Sequence, residues 1–313
     1  MKKIFVSGHN GMVGSALIRA FGAYVNEYKV ITQNRTKLDL CNQQAVQDFI
    51  SQEKPDIVIN AAGRVGGIYA NNTYPGDFIR ENLLINTNLI HASYKSNVSR
   101  FLNLGSSCIY PRDAEQPLKE ESLLTGPLEP TNSAYALAKI AGLEMCRHYR
   151  NQYGVIFHSA MPTNLYGQGD NYHPQNSHVL PALIRRFHEA KKSGASDVLL
   201  WGTGKPRREL LHADDLANAL LFLLSIENPP HWINVGTGKD QTILELANLV
   251  KNTVGFEGEI THDLTKADGT PVKRLDVSML DNLGWRPKIS LEEGIKSTYE
   301  DFKKSEDEGS LRS

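Results

Sequence analysis

The opening twenty-one residues constrain the fold more than any other stretch of the chain. Lys2-Lys-Ile-Phe-Val-Ser is a short apolar run suited to a buried parallel strand. Gly8-His-Asn-Gly11-Met-Val-Gly14 follows at once, and Ser15-Ala-Leu-Ile-Arg-Ala-Phe then places apolar residues at helical spacing. Strand, glycine-rich turn and helix in that order form a βα unit whose helix N-terminus offers free N–H groups to an anion. The glycines allow a tight turn and close approach of backbone to a phosphate. The spacing is Gly-x-x-Gly-x-x-Gly, and its position at the first strand–helix junction predicts dinucleotide binding.

The next strand is expected at Lys29-Val-Ile-Thr. An NAD enzyme places Asp or Glu near its end to hold the ribose 2′-hydroxyl. Here Gln33, Asn34 and Arg35 stand instead, with Asp39 nearby. A guanidinium is a planar fork of donors suited to a phosphate, so Arg35 favours NADP. The competing reading is a solvated loop arginine.

Strand-like and helix-like runs alternate onwards: Asp56-Ile-Val-Ile-Asn, a helical pattern from Pro75 to Ser96, Arg100-Phe-Leu-Asn-Leu-Gly, a helix capped by Asn132 or Ser133, and Val155 to Met161. This rhythm predicts an α/β fold, a Rossmann-type doubly wound parallel sheet with ligands at the carboxyl ends of its strands. After about residue 163 the texture becomes loop-rich. The expected organisation is a cofactor domain over 1–162, to which 212–238 returns, and a smaller interleaved substrate-binding domain from 163–211 and 239–303. Residues 304–313 are charged and contain Gly and Ser, and read as a disordered tail.

Tyr135 and Lys139 sit four residues apart in Ser133-Ala-Tyr-Ala-Leu-Ala-Lys. On a helix they project from one face. A neighbouring ammonium favours the phenolate, giving a phenol that exchanges protons near neutrality. Taken alone, the pair also fits two exposed helix residues; the cofactor motif upstream turns the reading towards catalysis.

Net charge is −1, so no field attracts nucleic acid or an anionic membrane. No apolar run reaches spanning length, and the N-terminus enters a strand without a signal-like segment. Cys41, Cys108 and Cys146 are odd in number and scattered, which fits neither a disulfide framework nor a metal site and points to a reducing cytoplasm.

The glycine turn, Asn60-Ala-Ala-Gly, Ser106 before Tyr110, and Tyr135-x-x-x-Lys139 resemble the extended sugar-nucleotide branch of the short-chain dehydrogenase/reductases. Val65-Gly-Gly-Ile-Tyr-Ala-Asn-Asn-Thr-Tyr-Pro, Gly105-Ser-Ser-Cys-Ile-Tyr-Pro, Asn176-Ser-His-Val-Leu-Pro, Trp201-Gly-Thr-Gly-Lys-Pro-Arg-Arg-Glu and Asp268-Gly-Thr-Pro narrow the resemblance to the GDP-L-fucose synthase family, over residues 2 to about 303. Arg64 departs from that family's usual lysine but keeps the cation.

The resemblance implies an NADPH-dependent homodimer acting on a GDP-sugar: epimerisation at C3 and C5 of GDP-4-keto-6-deoxy-D-mannose, then reduction of the C4 ketone. It implies cofactor contacts from Gly8, His9, Asn10, Gly11, Met12, Val13 and Gly14, from Arg35 and Leu40, and from Leu104, Gly105, Ser106 and Ser107. Lys139, Pro162, Thr163, Asn164, Leu165 and His178 complete that set. Ser106 and Tyr135 would hold the C4 oxygen, and Lys139 would hold the nicotinamide ribose and lower the Tyr135 pKa. Cys108 and His178 would exchange the C3 and C5 protons, with acid and base unassigned. Arg186, Trp201, Arg208, Asp268 and Lys273 match substrate-binding positions, although sequence alone does not choose between Arg185 and Arg186 or between Arg207 and Arg208. The competing functions are another sugar-nucleotide epimerase or dehydratase of this fold, and a non-catalytic NADPH sensor. Arg35, Cys108 and His178 weigh against the first, and the complete Ser106, Tyr135 and Lys139 set against the second.

Overall fold

The computed structural model describes residues 1–266 and 268–312. In chain order the strands are β1 (Lys2–Ser7), β2 (Tyr28–Ile31), β3 (Ile57–Asn60), β4 (Arg100–Leu104), β5 (Ile156–Pro162), β6 (Asn164–Tyr166), β7 (Asp197–Trp201), β8 (Arg207–His212), β9 (Trp232–Val235), β10 (Asp240–Thr242), β11 (Glu259–Asp263) and β12 (Val272–Lys273). The α-helices are α1 (Met12–Phe21), α2 (Gln43–Glu53), α3 (Ile68–Thr73), α4 (Pro75–Lys95), α5 (Ser133–Tyr153), α6 (Val179–Ser193), α7 (Ala213–Ser225), α8 (Ile243–Val254), α9 (Ser278–Leu283) and α10 (Leu291–Asp307).

Six parallel strands form the main sheet in the order β2-β1-β3-β4-β5-β9. β1 and β3 are central, so Ile4, Phe5, Val6, Val58 and Ile59 are buried, as strands covered on both faces require. Strand order reverses at β1, with β2 on one side and β3 on the other. The connections that leave β1 and β3 therefore diverge and open a crevice at their carboxyl ends. β9 lies on the far edge beside β5.

A second sheet is built around β8. β10 pairs with it antiparallel, and β12 and β6 pair with it in parallel. β7 and β11 form a separate parallel pair. The chain passes from the main sheet to this one within two residues, from Pro162 at the end of β5 to Asn164 at the start of β6.

One carboxylate joins these parts. Glu209, in β8, is fully buried. Its Oε1 accepts the amides of Thr237 at 2.6 Å and Gly238 at 2.8 Å, just past β9. Its Oε2 accepts the amide of Leu275 at 2.7 Å, just past β12. Its own carbonyl accepts the Asn164 side-chain amide at 3.1 Å. Gly236 makes room, since a Cβ there would lie 2.2 Å from Oε1.

Two local expectations are corrected. Neither Asn132 nor Ser133 caps α5 with its side chain; the Ser133 hydroxyl instead donates to the Pro130 carbonyl at 3.3 Å. The tail expected to be disordered from Lys304 is helical to Asp307, because Tyr299 and Phe302 bury the preceding turns of α10. In its last turn Glu306 lies 3.0 Å from His188, and beyond it the Arg312 carbonyl accepts the Tyr172 amide at 2.8 Å.

Glu209→Ala leaves three amide donors without their acceptor, at about 1–3 kcal/mol for each that stays buried. The expected result is a loss of roughly 3 kcal/mol or more in urea unfolding, and the measurement fails this account if the midpoint is unchanged.

Candidate active site

The glycine turn is shaped by close contacts. Gly8 has φ +74°, and a Cβ on it would lie 2.7 Å from the Ala61 carbonyl oxygen, in the loop after β3. A Cβ on Gly14 would lie 2.1 Å from the Gly8 carbonyl oxygen. Bare backbone is therefore required at both places. Gly11 precedes α1 in extended conformation, no side chain caps the helix, and no acidic residue occupies its first turn. His9, Asn10, Met12 and Val13 complete this bend, which leaves a helix N-terminus open to a pyrophosphate.

At the end of β2 the Arg35 side chain is 79% exposed, with only a loose approach of 3.5 Å to Glu81. Asn34 accepts from Asn10 at 3.1 Å, tying this loop to the glycine turn. Leu40 packs at the same end, and its carbonyl accepts from Asn88 at 2.9 Å. An exposed guanidinium past the end of β2 and an uncapped helix fit NADPH, whose hydride is what it supplies when bound.

The helix that carries Tyr135 and Lys139 is drawn to the sheet by a buried chain of amides. Asn60 accepts from Ser7 at 2.9 Å and donates to Asn86 and Asn103 at 2.9 and 3.0 Å. Asn86 donates to the Ala138 carbonyl at 3.1 Å, inside α5. Gly142 allows the approach, because a Cβ there would lie 2.6 Å from the Asn86 amide nitrogen. This places Lys139 in the interior, where Nζ donates to the Leu104 carbonyl at 2.8 Å and lies 5.6 Å from the Tyr135 ring centre. Gly63 borders the same ammonium, 3.5 Å from where its Cβ would be.

The electrostatics differ from the simplest reading of a Tyr–Lys pair. Burial pushes the Tyr135 phenol up, the nearby Cys108 charge adds to this, and the Ser106 hydroxyl opposes it. Lys139 is brought down to about 8 by burial, with Cys108 opposing. The expectation that Lys139 lowers the Tyr135 pKa is thus corrected. The ammonium is committed to a carbonyl, and desolvation governs both groups.

β4 delivers Leu104 and Gly105 to the crevice, followed by Ser106, Ser107 and Cys108 in a short turn. Ser106 Oγ accepts the Cys108 amide at 3.2 Å, and its hydroxyl acts to lower the pKa of both the thiol and the Tyr135 phenol. Burial raises the Cys108 pKa, but Lys273, the Ser106 hydroxyl and Lys139 outweigh it, and the thiol ends below its ordinary value. Lys273 Nζ donates to Cys108 Sγ at 3.1 Å, from the second sheet across to the first.

His178 begins α6. Its loop is pinned where the Gly67 amide donates to the Asn176 carbonyl at 3.0 Å. The ring is solvent-accessible, yet the protein packed around it and then Lys273 hold its pKa below the usual imidazole value. Pro162, Thr163, Asn164 and Leu165 form the wall between the two sheets, with the Thr163 amide donating to the Val235 carbonyl at 3.0 Å. Ser106, Cys108, Tyr135, Lys139 and Lys273 therefore share one cluster, with His178 in the field of Lys273.

The remaining positions lie farther out. Arg186 lies 4.8 Å over the Trp201 ring, and Trp201 is 57% exposed. Asp268 accepts the Thr203 amide and hydroxyl at 2.9 and 2.6 Å, which lowers its pKa. The two arginine pairs are separated by geometry. Arg185 pairs with Glu189 and Arg207 with Asp240, both at 2.6 Å. Among the described residues Arg186 and Arg208 have no carboxylate partner, and burial lowers both their pKa values. Arg208 donates to the Thr270 carbonyl at 2.6 Å.

Sequence reasoning missed two residues. Lys266 places a second cation over Trp201, at 5.6 Å, and nothing in its surroundings in the sequence signals it. Glu209 was visible as the acid closing Arg207-Arg-Glu, but the sequence carries no sign that it is buried.

A parallel sheet with an open glycine turn, and a Ser, Tyr and Lys set at its carboxyl edge, define a nicotinamide-nucleotide enzyme of Rossmann type. The chain belongs to the NAD dependent epimerase/dehydratase family, whose model matches residues 4–236. It is 55% identical over 305 residues to GDP-L-fucose synthase 1 of Arabidopsis thaliana, covering 97% of this chain and 94% of that one. It is 50% identical to the GDP-L-fucose synthase of Escherichia coli, covering 98% of each. Among solved structures, a GDP-mannoheptose C4 reductase from Campylobacter jejuni with NADP bound is similar at 39% identity and a TM-score of 0.87, covering 96% of this chain and 98% of that one. The cofactor is NADPH. Among the described residues no helix is long and apolar enough to cross a membrane.

Arg35→Ala is expected to raise KM for NADPH roughly tenfold to a hundredfold, the worth of a charge-assisted bond of about 1.5–3 kcal/mol. KM for NADH should hardly move, and an equal rise for both cofactors contradicts the placement. Separately, Lys139 loses its proton as pH rises through about 8. NADPH affinity of the free enzyme should therefore weaken above that pH, and in Lys139→Arg this limb should move to higher pH.

Proposed function

We propose that the chain converts GDP-4-keto-6-deoxy-D-mannose to GDP-L-fucose with NADPH, by epimerisation at C3 and C5 followed by reduction at C4. The observation that carries this reading is the turn after β4. It sets Ser106, which faces Tyr135, two residues from Cys108, which faces Lys273. Reducing and proton-exchanging groups thus surround one position.

The 4-keto group acidifies the protons on C3 and C5, so they are exchanged before hydride removes the ketone. Ser106 and Tyr135 donate hydrogen bonds to the C4 oxygen and stabilise the enolate. Cys108 and His178 take and return the carbon protons. Tyr135 then protonates the C4 oxygen as NADPH reduces the carbon. Lys139 orients the nicotinamide ribose, and Arg186 and Arg208 offer cations to the diphosphate beside Trp201. The reading includes a cytoplasmic reaction and a homodimer. Leu137 on α5 is 48% exposed, apolar surface that a second copy would cover. Sedimentation should give twice the 34.8 kDa chain mass.

Two variants separate the steps. Tyr135→Phe should bind NADPH but reduce the ketone about 10²–10⁴-fold more slowly, the usual worth of a general acid. Cys108→Ser should lose solvent-deuterium incorporation at C3 and C5 by about the same factor. It should still reduce the unepimerised ketone slowly, to a 6-deoxy sugar that NMR distinguishes from fucose. Deuterium entering both carbons at the wild-type rate removes Cys108 from the reaction.

A further inference from the structure

β12 is only two residues long. Its register on β8 sets Lys273 opposite Arg208, and Glu209, the next residue of β8, accepts the Leu275 amide at 2.7 Å. A ladder and a buried carboxylate thus fix the backbone on both sides of Lys273. The two neighbouring cations have conventional partners: Arg274 approaches Asp240 at 4.0 Å, and Arg208 donates to the Thr270 carbonyl. Lys273 instead crosses from the second sheet to the turn after β4 and donates to a sulfur, Cys108 Sγ, at 3.1 Å.

An ammonium at that distance from a thiol stabilises the thiolate. The groups facing Cys108 are Ser106 from its own turn, Tyr135 and Lys139 from α5, and Lys273 from β12. Ser106 is neutral. Tyr135 remains protonated. Lys139 has its Nζ on the Leu104 carbonyl at 2.8 Å. Lys273 is the cation bonded to the sulfur itself, and its field also reaches His178.

We propose that Lys273 is a positioning residue for epimerisation, whose ammonium keeps Cys108 ionised in the resting site so that the thiolate removes the sugar proton. The word epimerisation rests on the function proposed above; the ionisation of Cys108 does not. The step balances without redox chemistry. The C–H bond breaks, its proton goes to sulfur, and the electron pair moves to the C4 oxygen, where Ser106 and Tyr135 donate hydrogen bonds. The enolate carbon then takes a proton on its opposite face from the imidazolium form of His178, and the neutral ring left behind regains a proton from solvent. The contrasting role, a lysine that only binds the substrate diphosphate, predicts no effect on the free thiol.

The test is the rate of Cys108 alkylation by iodoacetamide from about pH 5 to about pH 10, located by mass spectrometry, in wild type, Lys273→Met and Lys273→Arg without substrate. Wild-type Cys108 should react ahead of Cys41 and Cys146, whose pKa values burial raises. In Lys273→Met the Cys108 rate at pH 7 should fall about tenfold or more, tenfold for each unit by which the thiol pKa rises, and the titration should move to higher pH. Lys273→Arg should restore it. NADPH binding, followed by fluorescence, reports that each variant is folded. With GDP-4-keto-6-deoxy-D-mannose in D₂O, exchange at C3 and C5 should fall with the alkylation rate while KM changes little. Superimposable alkylation profiles for wild type and Lys273→Met overturn the proposal, as does a loss confined to KM. A Lys273-dependent alkylation profile with no deuterium entering the sugar in wild type upholds the ion pair and overturns the substrate reading instead.

Discussion

The buried carboxylate of Glu209 is the constraint on which the active cleft depends. A carboxylate removed from water is costly unless its lone pairs are met. Here three backbone amides meet them, from the chain leaving β9 and the chain leaving β12. Those two segments belong to different sheets, so satisfying one charge fixes the main sheet against the second. The neighbouring residue Arg208 and the residue opposite it, Lys273, then have no freedom of register. A cation from one sheet is thereby carried to a thiol on the other, without any long loop having to find its place.

The main sheet was legible in the sequence because its rules are local. Gly8 and Gly14 announce a turn that no other residue could make, and the apolar runs around Ile4, Val58 and Phe101 have the length of buried strands. The return of residues near Trp232 to this sheet could be anticipated from the same kind of run. The second sheet was much less visible. β12 is two residues in a polar stretch, and β10 is three. Such strands arise from pairing with β8 and not from propensity, so nothing in their own sequence marks them. The tail misled for a related reason. Its last residues are charged, but Tyr299 and Phe302 upstream anchor the helix that carries them.

The candidate site shows the same division. Positions such as Ser106, Tyr135 and Lys139 can be found by spacing, because helix geometry and strand ends place them. The choice between Arg185 and Arg186 could not be made from spacing. It depends on Glu189 one turn away taking the first, and on Trp201 from a distant strand lying beneath the second. Likewise Asp240 takes Arg207 and leaves Arg208 without a carboxylate. In each pair a carboxylate occupies one arginine, a neighbour on the same helix for Arg185 and a residue of a distant strand for Arg207.

Charge states, finally, cannot be read from adjacency alone. Tyr135 and Lys139 are neighbours on a helix, which suggests a phenol made acidic by its lysine. Burial reverses this, raising the phenol and lowering the ammonium. For a reductase that reversal suits the chemistry. Reduction of a ketone consumes a proton at oxygen, so a tyrosine held protonated is ready to donate, whereas an enzyme oxidising an alcohol needs the phenolate. Cys108 sits in the same surroundings and burial acts on it in the same direction, yet its thiol is brought down, because Lys273 is bonded to the sulfur where Lys139 is bonded to a carbonyl. Two acids a short distance apart are thus shifted in opposite directions, the phenol towards holding its proton and the thiol towards releasing it. Removal of a proton from carbon and delivery of one to oxygen can then fall to different groups of one site, each shifted towards its own task.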